Sequence, residues 1–176
     1  AASFAGAAVV GAVASIASQG VGLLTNTIDE FSWNDVAISA ISAGVGGVGP
    51  SPQTWQQAVI KGIANSVDTQ LISMAVGLQS KFDWTGVAAA GISAGVSKAV
   101  SNNLPGAAQY NEAGVQIEDA TWGNLTLSST AGAFANAATR SAFDGTNFGD
   151  NIVAAIPDVI GQAIGSAIGE AAISAL

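Results

Sequence analysis

The sequence predicts an all-α fold, a compact bundle of about six helices built from degenerate helical hairpins and held together through Ala, Gly and Ser. Three observations carry this expectation. Val and Ile are frequent, but they recur at three- and four-residue intervals instead of alternating. A residue able to cap a helix stands immediately before a bulky ring at Ser32–Trp33, Thr54–Trp55, Asp83–Trp84, Thr121–Trp122 and Asn147–Phe148. One phrase also occurs twice, "FSWNDVAISAISAGV" over residues 31–45 and "FDWTGVAAAGISAGV" over residues 82–96, at a spacing of 51 residues.

Helices are expected at about 4–24, 33–47, 54–78, 84–101, 128–142 and 148–174. The first carries no charged side chain before Asp29 and is long enough to cross a bilayer. Without a basic n-region it does not read as a signal peptide. Its Ala, Gly and Ser content favours a buried helix of a soluble protein over a membrane span. The second helix starts with a capping box, Ser32 with Asp35, and a hydrophobic staple, Phe31 with Val36. "GVGGVG" at 44–49 lacks a phosphate-loop Lys and reads as a helix C-terminal break, followed by the breaker "GPSP" at 49–52.

Thr54 and Gln57 form the capping box of the third helix. In the fourth, Asp83 is the cap and Phe82 with Val87 the staple. The helix endings "VGLL" at 21–24 and "VGLQ" at 76–79 read as equivalent. Residues 102–127 read as irregular, with "VQIEDATWGNLTL" as loop in preference to a strand pair, and Gly123 after Trp122 argues against a helix start there. A third, looser copy of the hairpin covers the end of the chain, where Pro157 either kinks the last helix or starts its second part. Residues 1–176 thus read as one helical domain, with repeats over roughly 10–48, 54–101 and 128–174.

In such a chain the rings Phe31, Trp33, Trp55, Phe82, Trp84, Trp122 and Phe148 are expected to act as plugs, sealing the ends of layers whose middles are small. Gly161, Gly165 and Gly169, at four-residue spacing, and Gly91 with Gly95 offer flat glycine-zipper faces. These faces serve either close contact between soluble helices or insertion and self-assembly in lipid, where small residues let backbones touch. Asp150, Asp158 and Glu170 in the last helix favour the former.

Composition narrows the function. Apolar residues make up 49% of the chain and charged residues only 9%, far below an ordinary soluble domain, so burial against other copies, more chain or lipid is expected. The net charge is −8, and Lys61, Lys81, Lys98 and Arg140 are isolated, so nothing resembles a nucleic-acid footprint. There is no Cys and no His, which removes thiol nucleophiles, imidazole bases and the commonest metal ligand. A Ser-His-Asp arrangement is impossible, and no local motif supports a serine assisted by Lys61 or Lys98. "DGTNFGD" at 144–150 has the composition of a calcium loop without EF-hand spacing, and the acids near Asp29, Glu30 and Asp35 read as solvated loop charges. No enzyme, cofactor or metal is expected. Since Ala1 is not an initiator methionine, the chain is expected to be a piece of a longer protein.

The segment "GAFANAATRSAFDGTNFGDNIVAAIPDVIGQAIGSAIGE", with residues 131–140 and the phrase "TNFGDN" at 146–151, is similar to a module of large secreted bacterial exoproteins. These are the haemagglutinin-like two-partner-secreted adhesins and the polymorphic and contact-dependent-inhibition toxins, in which the module precedes a variable C-terminal effector. "FSWNDVAISAISAGV" resembles the same module. The resemblance implies a secreted or cell-surface bacterial protein and a non-enzymatic structural or delivery module, whose partners are other segments of a longer exoprotein or other copies of itself. A membrane-inserting pore or translocation protein, and a self-assembling surface or filament subunit, remain as alternatives.

Overall fold

The computed structural model describes residues 4–113 and 115–174, with side-chain surroundings beyond residue 161 described only for 163, 164 and 168. The fold is all-α. Among the described residues six helices, α1 (Phe4–Leu24), α2 (Trp33–Gly47), α3 (Trp55–Ala75), α4 (Trp84–Asn103), α5 (Trp122–Asp144) and α6 (Phe148–Ser174), are joined by short links except for residues 104–121 between α4 and α5. One small hairpin, β1 (Gln109–Tyr110) and β2 (Gln116–Glu118), interrupts them. The chain divides into two compact units. The first holds residues 49–66 and 84–152, the second residues 4–48, 67–83 and 153–174.

Five helices begin on the ring that follows each capping residue. Ser32 Oγ accepts from the Asp35 amide at 3.2 Å. Thr54 and Gln57 close a reciprocal box, each backbone amide donating to the other's side chain at 3.3 Å. Thr121 caps α5 through the Asn124 amide at 3.3 Å, and Asn147 caps α6 through the amides of Gly149 and Asp150 at 2.8 and 3.3 Å. These side chains satisfy amides that the first helical turn leaves without partners.

The 51-residue repeat is a structural unit, not only a verbal one. Both α1 and α3 end in a Schellman turn with a left-handed residue, Asn26 (φ 54°) and Gly77 (φ 79°). Thr27 N donates to Gly22 O at 2.9 Å, and Leu78 N to Ser73 O at 2.8 Å. Within the first hairpin Gly11 of α1 lies against Ser39 and Ala43 of α2. Within the second, Gly62 of α3 lies against Ala90 and Ala94 of α4, the residues 51 positions further on. The two helix endings paired in the sequence are therefore out of register. Val21 corresponds to Ile72, since the turn bonds Thr25 N to Val21 O and Val76 N to Ile72 O coincide.

The turns are locked by a contact that sequence reading missed. Gln19 Nε2 donates to Ser32 O at 3.0 Å while its Oε1 accepts from Ser32 N at 2.5 Å. Gln70 grips Asp83 in the same way, at 3.0 and 2.6 Å. The Ser32 amide that a full capping box would assign to Asp35 is thus taken by a glutamine thirteen residues upstream. The detectable signal was a Gln at the same place in both copies. The last helical pair departs from this plan, because α5 and α6 are joined by residues 145–147 alone, after a left-handed Gly145 (φ 69°).

The segment expected to be irregular is ordered. The two strands pair antiparallel, Gln109 opposite Glu118 and Tyr110 opposite Gln116, and the Asn111 side chain takes the Val115 amide at 2.9 Å. Tyr110 anchors the hairpin. Lys98 Nζ donates to its hydroxyl at 3.2 Å and lies 4.9 Å from its ring centroid, a cation–π contact. The helix α5 then starts at Trp122, six residues earlier than expected. The cost of Gly123 is offset by the Thr121 cap and by buried Asn124, whose Nδ2 donates to Ser101 O at 2.9 Å and Pro105 O at 3.2 Å. In α6, Pro157 lies inside one continuous helix.

Candidate functional site

The expected plugs occupy the expected positions but not the expected environment. Trp33, Trp55, Trp84, Trp122 and Phe148 are each the first residue of a helix, yet all are exposed, Trp84 at 74%. Phe31 and Phe82 are half-buried, and the Phe31 ring meets Trp33 edge-on at 5.0 Å. The correction has a geometric cause. A helical Cβ tilts toward the N-terminus, so a ring on the first residue projects back beyond its own helix. Layers that meet through Gly and Ala also leave no gap wide enough for an indole.

The glycines sit at close approaches. A Cβ on Gly91 would come within 2.7 Å of Ile63, and one on Gly95 within 2.5 Å of Val59. Gly132 of α5 faces Ser93 and Ser97 of α4, and Ser93 Oγ donates to Gly132 O at 2.9 Å. A Cβ on Gly161 of α6 would come within 2.7 Å of Ala14 O on α1. The surroundings of Gly165 and Gly169 lie outside the described residues.

Burial is inverted relative to a water-soluble helix. The buried residues of α1 are Ala7, Ser15, Ser18, Gln19 and Gly22, while Phe4, Val9, Ile16, Leu23 and Leu24 are exposed. Val9, Ile16 and Leu23 are seven apart and form one outward stripe. In α5, Asn124, Ser128, Gly132 and Thr139 point inward, with Leu127, Phe134 and Phe143 exposed. On α6 Val153, Ile156, Ile160, Ile164 and Ile168 are all exposed. Among the described residues the buried apolar side chains are only Ala and Val. The stripes follow the helical period that the sequence displays, but they face away from the helix contacts instead of into them.

The second unit contains a cavity of about 510 Å³. Helix α1 supplies Val10, Gly11, Ala14, Ser15 and Ser18, α2 supplies Ile38, Ser39, Ser42 and Ala43, and Thr69 and Asp158 complete the wall. Ser18 Oγ donates to Asp158 Oδ1 at 2.5 Å, and Ser15 Oγ accepts from Gln19 Nε2 at 3.3 Å. The sequence signal for this wall was faint, paired hydroxyls three residues apart at 15 and 18 and again at 39 and 42. Such a wall can bind and orient a small molecule, but it holds neither an imidazole nor a thiol to move a proton. Among the described residues no group of three or more acidic, His or Cys side chains is placed to hold a metal ion.

No protein-family model matches the chain, and no curated protein or solved structure matches it.

Proposed function

We propose that this chain is a non-enzymatic delivery module that works by entering a lipid bilayer, with α1 as the spanning segment. The observation that carries the reading is the inverted burial of α1. Its inward face is Ala, Ser, Gln and Gly, and its outward face is Phe, Val, Ile and Leu. In water that arrangement leaves apolar area unburied at about 25 cal/mol per Å². In lipid it is favourable, because helices there associate through small and hydroxylated residues and present aliphatic side chains to the acyl chains. The 21 residues of α1 rise about 32 Å at ~1.5 Å per residue, the thickness of a hydrocarbon core, and none is charged. Exposed tryptophans at helix ends suit the interface of headgroups and acyl chains. The resemblance of residues 131–151 to secreted exoproteins supplies the setting, a secreted or surface-bound bacterial protein that moves an attached effector.

The experiment is partition into phosphatidylcholine vesicles, neutral lipid being chosen because the chain carries a net charge of −8. At micromolar protein the tryptophan emission shifts to the blue, residues of α1 become protected from protease, and entrapped dye is released. Protein that stays in the aqueous phase with unshifted emission overturns the reading. Large particles in light scattering without lipid transfer would assign the apolar faces to further copies of the chain instead.

A further inference from the structure

We propose that the cavity of the second unit binds a small organic molecule bearing an ammonium group. Asp158 is its counter-ion, and serine hydroxyls complete the contacts.

Three features of the wall lead to this ligand class. The volume, about 510 Å³, takes a small molecule and is far too large for a bare ion. Asp158 is the single charged residue in the lining, and it is exposed to solvent. A carboxylate beside a concave wall whose lining holds no cation gives a negative potential, screened by water, that favours cations over phosphates and carboxylates. Ser18 donates to Oδ1 at 2.5 Å and so orients the carboxylate, leaving Oδ2 for a second donor. An ammonium group carries three donors and matches acceptors spread over hydroxyls and one carboxylate. A divalent metal ion would demand several converging acidic oxygens, which the wall does not have.

A further observation points to a missing partner. Thr69 lines the cavity and is 7% exposed, and its Oγ1 has no hydrogen-bond partner among the described residues. Buried hydroxyls are almost always paired, so a guest that drew the Thr69 hydroxyl, itself shielded from solvent, toward the cavity would supply the partner it lacks. The cavity lies on the face of α1 opposite Val9, Ile16 and Leu23. The binding reading therefore stands apart from the bilayer reading, and one can fail without the other.

The test is calorimetric titration of the full chain in detergent micelles with ethanolamine, putrescine and glucosamine, and with glucose as the uncharged counterpart of glucosamine. At least one ammonium compound should bind saturably at one site, and glucose should bind at least ~10-fold more weakly than glucosamine, the loss of one charge-assisted pair. Asp158→Asn, which keeps the acceptor for Ser18, should weaken the ammonium compounds about 10-fold with the circular dichroism spectrum unchanged. Ser42→Leu, at an exposed lining position, should block binding by filling the cavity, so the proposal stays testable if the Asp158 variant misfolds. No binding of any ammonium compound at millimolar concentration overturns the proposal. Equal binding of glucose and glucosamine, or unchanged binding by Asp158→Asn and Ser42→Leu, does so too.

Discussion

Gln19 holds Ser32 by both of that residue's backbone hydrogen-bonding groups, its amide nitrogen on the carbonyl at 3.0 Å and its amide oxygen on the N–H at 2.5 Å. A side-chain amide presents a donor and an acceptor at the spacing of a backbone pair, so one glutamine ties the start of α2 to the last turns of α1. The pair Gln70 and Asp83 repeats the arrangement.

Removing either glutamine should therefore loosen a hairpin at its turn. Gln19→Ala is expected to cost about 2 kcal/mol, since two backbone groups lose a partner that water only partly replaces. Gln70→Ala should cost at least as much, because Gln70 Oε1 also accepts from Gln79 Nε2 at 3.1 Å. Urea unfolding followed by circular dichroism reads both. A change below ~0.5 kcal/mol in either variant would show that the clamp contributes nothing to stability.

Two glycines in helix interiors should respond to alanine with opposite signs. Alanine is the better helix former by about 1 kcal/mol. At Gly20 nothing lies within 4 Å of an added Cβ, so Gly20→Ala should raise the melting temperature. At Gly62 the added carbon would lie 2.8 Å from both Ala90 O and Ala94 Cβ, so α3 and α4 must separate. Gly62→Ala is expected to destabilise by about 1–3 kcal/mol, the usual range for overfilling a close contact. Equal shifts in the two variants would contradict the close approach.

Asn124 should be hard to replace. It is 2% exposed, donates to the carbonyls of Ser101 and Pro105, and accepts from Ser101 Oγ at 2.6 Å. Asn124→Leu leaves those groups without a partner and should cost about 2–4 kcal/mol, with α5 fraying at Trp122. Hydrogen exchange at the amides of residues 122–126 checks the location of the damage.

Lys61 should make stability depend on pH in the alkaline range. Burial lowers its pKa below the usual lysine value of 10.5, while Nζ donates to Pro50 O at 3.1 Å. The folded state therefore binds its proton less tightly than the unfolded state. The penalty for holding the charged form is present at neutral pH, and it lifts as pH rises from the folded pKa toward 10.5. The stability of Lys61→Met, relative to the parent, should accordingly fall over that interval. Parallel pH profiles of the two melting temperatures would show that Lys61 is no more buried than in the unfolded chain.

Where helices begin was legible in the sequence because a cap is local. Ser32, Thr54 and Asn147 each reach an amide two or three residues ahead, whatever the rest of the chain does. Thr121 is the instructive exception. Its capping signal was present, but the local cost of Gly123 outweighed it until Asn124 met the end of α4, a contact that sequence spacing does not display. The plugs failed for a related reason. A ring at a helix start shows its position in the sequence but not whether anything covers it.

By itself the sequence determined a helical chain, every helix start but that of α5, and a hairpin stated twice at 51-residue spacing, because caps, periodicity and repetition act over short stretches of backbone. Only the tertiary structure decided which face of each helix turns inward. In a chain whose glycines permit the closest approach, backbones meet on the small and hydroxylated side, so the larger aliphatic side chains point outward. The same choice brings Ser18, Thr69 and Asp158, far apart in the chain, around one cavity. Hydrophobic periodicity reports that a helix has two faces, and the distance at which backbones can touch selects the one that is buried.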